Sequence, residues 1–150
     1  MRALLRRVSK ASVEVENRIV GSIEVGILVY LGIHEADSSN DIEWLINKIL
    51  GIRIFEDDTG KMNLSLGKDN GVLVVSQFTL FGNLKKGFRP SFHRAAKPQE
   101  ARKVYDDFIA SFFKTYPGKV ESGEFGKEMS ISATDDGPVT IWLDSQSKDY

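Results

Sequence analysis

The pattern of polar and apolar residues in the first third of the chain changes from alternation to a continuous apolar run. Residues 12–16 alternate, Asn17 and Arg18 allow a turn, and apolar residues resume at 19–20. Residues 23–33 are then almost continuously apolar. Alternation predicts a half-buried strand, and a short apolar run predicts a strand covered on both faces. We therefore expect β-structure up to residue 33.

Two later segments have helical spacing. Apolar residues recur at i, i+3, i+4, i+7 and i+8 from position 42 to position 50, after several N-cap candidates at 37–40. Asn40 and Glu43 have the spacing of a capping box. A second helix is predicted to begin near Pro98, to carry its apolar face from residue 101 to residue 112, and to end before Tyr116.

The remaining segments have the character of strands. Residues 72–75 predict a central strand that runs on through 76–81, and residues 119–121, 129–133 and 139–143 predict three more. The last two are separated by the turn-like residues 135–138. We expect one α+β domain over residues 1–150, with a curled, barrel-like, mostly antiparallel sheet and two main amphipathic helices packed outside.

Composition excludes several classes of protein. The 150 residues contain no cysteine, so disulfides, zinc–thiolate sites and cysteine nucleophiles are excluded. No apolar run approaches the ~18 residues of a membrane span, and the first residues do not resemble a secretory signal. These features favour an intracellular protein without a membrane partner.

The charge is unevenly distributed. Net charge is −1, yet residues 1–10 and 84–103 together carry +10 and the other 120 residues carry −11. A localised phosphate-binding face would have this pattern, and so would two solvated segments that never meet. The cations of the second segment that we consider for RNA contact are Lys85, Lys86, Arg89 and Arg94, with the N-terminal arginines as further candidates.

The common catalytic templates are absent. His34 and His93 lack the spacing of a zinc helix, so we expect no metal, and there is no Gly-x-Ser-x-Gly or Walker motif. Three features remain: the polar residues Ser76, Gln77 and Thr79 at the end of a buried strand, the long aperiodic segment 81–97, and the turn-like residues 135–138. From the residues alone, those at 76–79 could equally satisfy their own backbone.

Three motifs resemble those of one family. Ser-Gln-Phe-Thr-Leu at 76–80, Gly-Phe-Arg-Pro-Ser-Phe at 87–92 and Asp-Gly-Pro-Val-Thr at 136–140 are similar to the signatures of D-aminoacyl-tRNA deacylases. The likeness covers essentially the whole chain. It departs from the family at Asp135, where asparagine is usual, and at Phe88, where a smaller polar residue is common.

The resemblance implies a homodimeric, cofactor-independent, cytoplasmic esterase that releases D-amino acids, and also glycine, from tRNA. It implies a site at the dimer interface, where a cis Gly137–Pro138 pair of one subunit is inserted into the partner's site and rejects L-amino acids. Arg7 would brace that pair, and Phe125 and Met129 would pack the terminal adenosine. The residues implied around the amino acid and the ester are Ser76, Gln77, Phe78 and Thr79.

Three alternatives stay open at this point. An aminoacyl ester is already reactive, so positioning, a vicinal ribose hydroxyl and main-chain donors near Phe78 and Thr79 would suffice for attack by water. Thr79 as a covalent nucleophile is the rival mechanism, although it requires a base that the sequence does not reveal. A non-catalytic RNA-binding module and a small serine or threonine hydrolase acting on free esters are the rival functions.

Overall fold

The computed structural model of the chain describes residues 1–149, which form eight strands, two α-helices and one 3₁₀ helix. The strands are β1 (Arg2–Val15), β2 (Arg18–Ile23), β3 (Gly26–Gly32), β4 (Phe55–Glu56), β5 (Met62–Leu64), β6 (Gly71–Ser76), β7 (Lys119–Ser122) and β8 (Ser130–Asp144). The α-helices are α1 (Ser39–Gly51) and α2 (Pro98–Thr115), and the 3₁₀ helix spans Phe78–Phe81.

Strand β1 is the centre of the sheet. It pairs antiparallel with β8 along one edge, while its other edge pairs with β3 in the first half and with β2 in the second. Strands β6 and β7 then follow β3 in parallel orientation, and β4 and β5 form a separate antiparallel pair. The sheet curls until β2 approaches β7, where Lys119 Nζ donates to the Ser22 carbonyl over 2.7 Å. The predicted α+β, barrel-like fold is confirmed.

Two apolar clusters stabilise this arrangement. The larger lies between the sheet and the two helices, and it takes up the helix faces that the sequence predicts. The smaller, which includes Val13, Leu28 and Leu73, lies on the inner side of the curl. Tyr105 of α2 reaches the sheet and donates its hydroxyl hydrogen to the Val74 carbonyl over 2.9 Å. Burial raises the pKa of Tyr105, so this donor stays protonated.

Three local predictions were wrong. The capping box of α1 uses Ser38 and Asp41, two residues before the predicted pair, because Ser38 is the residue with extended backbone. Residues 78–81 form a 3₁₀ helix and not the continuation of a strand. Residues 130–144 form one strand with shifted register where a separating loop was predicted, because long-range pairing with β1 holds both halves. Among residues 1–149, no helix combines the length and the apolar character that crossing a membrane needs.

Candidate active site

The carboxyl end of β6 changes abruptly from strand to helix. Ser76 is the last strand residue, and the Gln77 N–H still donates to the Leu31 carbonyl of β3 over 2.7 Å. The chain then turns into the 3₁₀ helix, with the Leu80 N–H donating to the Gln77 carbonyl. Gly32 makes the turn possible, since a Cβ there would lie 3.1 Å from the Gln77 carbonyl oxygen. The strand therefore ends where its neighbour has no side chain.

The turn presents both side-chain and main-chain groups. Gln77 Nε2 donates to Thr79 Oγ1 over 2.5 Å, and Thr79 is exposed. The Phe78 ring is 58% exposed and meets the edge of Phe92 at 5.0 Å between ring centroids. Because Phe78 and Thr79 begin the 3₁₀ helix, their N–H groups have no acceptor within it. These two N–H groups are available to an oxygen atom placed at this end of the strand.

The histidines do not supply a base for a hydroxyl nucleophile at this turn. Ser91 Oγ and His93 Nδ1 are 3.3 Å apart, but both residues are exposed and no carboxylate within residues 1–149 hydrogen-bonds to His93. His34 Nδ1 accepts the Ala36 N–H and is occupied locally. The part of the chain that the structure describes holds no cluster of three or more potential metal ligands. The sequence pair Ser91 and His93 is thus not part of a triad.

The second predicted element, Gly137–Pro138, lies in a bulge of β8. The register between β8 and β1 shifts between Arg6 and Val8, and the intervening residues 136–139 leave the ladder. The Gly137–Pro138 peptide bond is cis, and both residues are exposed. Gly137 has a φ of +123°, and a Cβ there would lie 2.9 Å from Val139 Cγ2. Only glycine fits this backbone without strain.

Arg7 connects the bulge to the body of the protein. Its side chain is 4% exposed, and its Nη1 donates to the Ile54 carbonyl over 2.5 Å. Its Nε donates to the Asp136 carbonyl over 3.1 Å and pairs with the Asp136 carboxylate at 3.0 Å. Glu56 lies 3.8 Å from the same guanidinium. A buried arginine with this many acceptors fixes the residue immediately before Gly137.

The turn after β6 and the bulge of β8 are not adjacent within one chain. Strands β1 and β3 lie between them, which separates β6 from β8 by about 14 Å across the sheet. Ser76 lies in the row of Leu31 and Ala3, whereas the bulge lies in the row of Arg7, about 13 Å further along the strands. The two elements of one chain therefore do not contact each other.

Phe125 and Met129 lie at the same end of the sheet as Ser76. The Gly123 N–H donates to the Val74 carbonyl over 2.9 Å, which ties the segment after β7 to β6. Met129 Sδ packs over Gly123, where a Cβ would be 2.6 Å away. The Phe125 ring packs against Tyr105 at 5.5 Å and helps to line a cleft of about 510 Å³. The apolar surface of both side chains therefore borders the end of β6.

Comparison with known proteins assigns the family. A family model described as D-Tyr-tRNA(Tyr) deacylase matches residues 4–144. The chain belongs to this family. The curated D-aminoacyl-tRNA deacylases of Thermosipho melanesiensis and Thermosipho africanus are 49% and 52% identical over 147 residues, which covers 97% of this chain and 98% of each relative. The chain is thus a member of a family of hydrolases.

Two solved structures extend the comparison. One, described as c-Myc DNA Unwinding Element Binding Protein, aligns with a TM-score of 0.87 at 39% identity and covers 96% of this chain and 98% of its own. Another, described as a probable eukaryotic D-amino acid tRNA deacylase, aligns with a TM-score of 0.81 at 18% identity over 95% and 97%. At that identity the second likeness shows the fold alone.

The two cationic segments of this deacylase-family chain differ in the structure. In β1, Arg2 pairs with Asp144 and Arg6 pairs in bidentate fashion with Asp135, each at 2.9 Å. The Arg6 hydrogen bond lowers the pKa of Asp135. Within residues 1–149, none of the four predicted RNA-contacting cations forms an ion pair: Lys85, Lys86, Arg89 and Arg94. The arginines at 2, 6 and 7 each form an ion pair within the chain, and their contact with RNA stays a prediction.

Sequence reasoning missed two contributors. The Phe92 ring packs against the Phe78 ring. Phe92 is the last residue of the Gly-Phe-Arg-Pro-Ser-Phe motif, so this motif could have indicated its role. Ile54 contributes only its carbonyl oxygen to Arg7, and no side-chain pattern marks such a role.

Proposed function

We propose that this chain hydrolyses the ester bond between a D-amino acid, or glycine, and the terminal ribose of tRNA. The observation that carries the proposal is the turn at the end of β6, which offers two N–H donors and no paired nucleophile and base. The curated relatives named D-aminoacyl-tRNA deacylase support the substrate class. Aminoacyl-tRNA is a cytoplasmic substrate, so we propose that the enzyme acts in the cytoplasm.

The chemistry requires little from the protein. An aminoacyl ester is activated, and the vicinal ribose hydroxyl of the substrate can assist the attacking water. The protein positions the carbonyl carbon, while the N–H groups of Phe78 and Thr79 donate to the oxyanion that forms there. Ser76 and Gln77 shape the pocket around the amino acid, and the Gln77 amide orients the Thr79 hydroxyl.

Thr79 is not the nucleophile in this proposal. Its Oγ accepts a hydrogen bond from the Gln77 amide, and an amide is not a base that can take the hydroxyl proton. Neither histidine hydrogen-bonds to this hydroxyl. Water is therefore the nucleophile, and the threonine holds the ester in place.

Gly137–Pro138 acts as the chiral filter. Rejection of L-amino acids needs a rigid surface where an L side chain would project, while a hydrogen atom at the same position is accepted. Main chain without a Cβ can approach the substrate closely, and Gly137 is held by the buried Arg7 through Asp136. A filter of this kind admits glycine, since glycine lacks the excluded group.

The filter operates in the partner's site of a homodimer. Within one chain the bulge is separated from the turn after β6 by two intervening strands. A twofold arrangement inserts the bulge of each subunit into the site of the other and completes both sites equally. The exposure of Gly137 and Pro138 in the single chain supports this arrangement.

The rest of the substrate extends across the same end of the sheet. Phe125 and Met129 pack against the terminal adenosine, because they present apolar surface next to β6. The loop cations Lys85, Lys86, Arg89 and Arg94 bind phosphates. We expect log K for tRNA to fall with log salt by about 0.7–0.9 for each phosphate contact.

The deciding experiment is a deacylation assay with D-tyrosyl-tRNA, L-tyrosyl-tRNA and glycyl-tRNA. We expect release of D-tyrosine and glycine, with L-tyrosyl-tRNA left intact. Binding of all three without release would make the protein a non-catalytic RNA-binding module. Equal hydrolysis of a free D-tyrosine ester and of the tRNA ester would make it a general esterase.

Mixing two inactive variants tests the shared site. Gly137→Ala is expected to be inactive because a Cβ on the bulge crowds the pocket that the bulge enters, and Phe78→Pro removes one N–H donor of the turn. If the bulge acts in the partner's site, a 1:1 mixture after subunit exchange regains about one quarter of wild-type activity, since half of the dimers carry one intact site. If each chain forms its own site, the mixture stays inactive.

A further inference from the structure

We propose that Phe88 stacks on an unpaired base of the tRNA substrate, a few nucleotides before the terminal adenosine. This inference rests on the proposed function and adds a substrate-binding residue to it. The Phe88 side chain is 102% exposed. The other exposed large apolar residues retain more of their packing, with exposures between 40% and 66% among residues 1–149.

The loop that carries Phe88 has a defined base. Asn83 and Ser91 form an antiparallel bridge with backbone hydrogen bonds of 2.8 and 3.0 Å. Asn83 Oδ1 also accepts the Lys85 N–H over 2.8 Å. Residues 84–90 therefore form a loop that is closed at its base by this bridge, with Gly87 at a φ of +104° near the tip. A constrained loop loses little conformational freedom when its tip binds.

The base of the loop packs on the candidate site. Phe92 contacts the Phe78 ring, and Gly82 approaches both Phe92 and Pro90 closely. Gly87 is four positions after Asn83 of the bridge, so the tip lies at most about 13 Å from the bridge. Stacked nucleotides rise about 3.4 Å each along a strand. The ring therefore lies within reach of the nucleotides that directly precede the terminal adenosine.

The positive charge around Phe88 favours a nucleic acid as the binding partner of the loop tip. Lys85, Lys86 and Arg89 flank Phe88, no acidic residue occurs between positions 84 and 99, and none of the three cations has an ion pair among residues 1–149. An exposed aromatic ring among unpaired cations matches a polyanion with flat, stackable bases. Surfaces for single-stranded RNA combine these two contacts.

The test separates stacking from charge. We compare binding of deacylated tRNA by the wild-type protein, Phe88→Ser, Phe88→Trp and Lys86→Ala over a range of salt concentrations. Stacking is not ionic, so Phe88→Ser raises Kd about tenfold while leaving the slope of log K against log salt unchanged. Phe88→Trp restores affinity. Lys86→Ala lowers the slope by about 0.7–0.9.

Two controls complete the experiment. Ile19→Ser changes another exposed apolar residue, 66% exposed on β2, and leaves tRNA affinity at the wild-type value. With tRNA trimmed of its unpaired 3′ nucleotides, wild type and Phe88→Ser bind equally. Hydrolysis of a D-aminoacyl-adenosine ester, which lacks those nucleotides, is the same for both.

Three results would overturn the inference. The first is wild-type tRNA affinity in Phe88→Ser. The second is a difference in affinity between wild type and Phe88→Ser that persists with trimmed tRNA. The third is a changed oligomeric state of Phe88→Ser in sedimentation. The last result would assign the ring to contact between subunits. Failure of the proposed function is distinct, since it appears as wild-type protein that binds deacylated tRNA but does not release D-tyrosine.

Discussion

The turn after β6 and the bulge of β8 expose main-chain groups in opposite ways. Strand β6 ends at Ser76, and the chain continues as a 3₁₀ helix whose first N–H groups are left without intrahelical acceptors. Strand β8 continues, and it releases only residues 136–139 from the ladder before pairing resumes at Thr140. The turn is held by main-chain hydrogen bonds, both within itself and to β3, whereas the bulge is held by the Arg7 side chain of β1.

The difference separates two kinds of vulnerability. The turn depends on N–H groups that any residue except proline supplies, so most side-chain changes there leave its donors in place. The bulge depends on one buried side chain and one glycine. Substitutions can therefore damage the two elements independently.

The largest effect is expected for Phe78→Pro compared with Phe78→Ala. Both variants remove the ring, but only proline removes the N–H, and proline is tolerated at the first position of a helix. Loss of one oxyanion donor lowers kcat by about 10²–10³. Deacylation kinetics with D-tyrosyl-tRNA measure the difference. Equal kcat values for the two variants would show that this N–H does not contact the reacting oxygen.

Arg7→Met tests the support of the bulge. The Ile54 carbonyl loses its charged donor in a buried place, so we expect the free energy of unfolding to fall by about 2–3 kcal/mol. Arg6→Met is the matched control, because its partner Asp135 is partly exposed and such pairs contribute at most ~1 kcal/mol. Urea denaturation compares the two. Equal losses of unfolding free energy in the two variants would show that Arg7 does not support the bulge more than an ordinary surface ion pair does.

Thr79→Ala sharpens the account of the turn. If water is the nucleophile, removing one neutral hydrogen bond to the hydroxyl lowers kcat about tenfold or less. Removal of a covalent nucleophile costs on the order of 10⁴–10⁶-fold in known cases. Single-turnover assays, with tRNA binding and folding checked on the same variant, distinguish the two results.

Asp135→Asn gives the smallest effect and depends on pH. Arg6 lowers the pKa of Asp135 in the folded protein, so the pair stabilises the fold above the ordinary aspartate pKa of about 3.9. That contribution is lost as pH falls through the lowered pKa. The carboxylate is partly exposed, so at pH 7 the variant is less stable by under ~1 kcal/mol, and the difference shrinks below about pH 4.

Asp58→Asn serves as the reference for that measurement. Asp58 is an exposed carboxylate without an ion pair in the part of the chain that the structure describes. Urea unfolding at a series of pH values compares it with Asp135→Asn. If both substitutions give the same curve, the ion pair with Arg6 contributes nothing.

Local pattern was sufficient for the two helices, which are buried on one face, and for β6, which is buried along almost its whole length. The apolar spacing of residues 42–50 and 101–112 predicts both helices, and the β-branched residues at 72–75 predict β6. The motifs also indicate residues 76–79 and the Gly137–Pro138 pair before any geometry is known. The helices and β6 follow from neighbours in sequence, whereas residues 76–79 and the Gly137–Pro138 pair were indicated by motif resemblance alone.

The features that could not be predicted depend on distant partners. Residues 78–81 are as apolar as a strand, but Gly32 of β3 lets the chain turn there. Residues 135–138 resemble a hairpin, but β1 pairs with β8 on both sides of them. Arg6 and Arg7 look like part of a cationic surface until Asp135 and Asp136 are placed beside them. One chain likewise cannot show which surface of a second copy completes its site.

The pairing of β1 with β8 has a consequence for synthesis of the protein. More than a hundred residues separate Val15 from Ser130, and at 5–20 residues per second a ribosome needs about 6–23 s to make them. During that interval β1 has an open edge and an unburied apolar face, which are the features that promote aggregation. The yield of folded enzyme is therefore expected to depend on how well this strand is protected on the ribosome, either by β2 and β3 or by a chaperone.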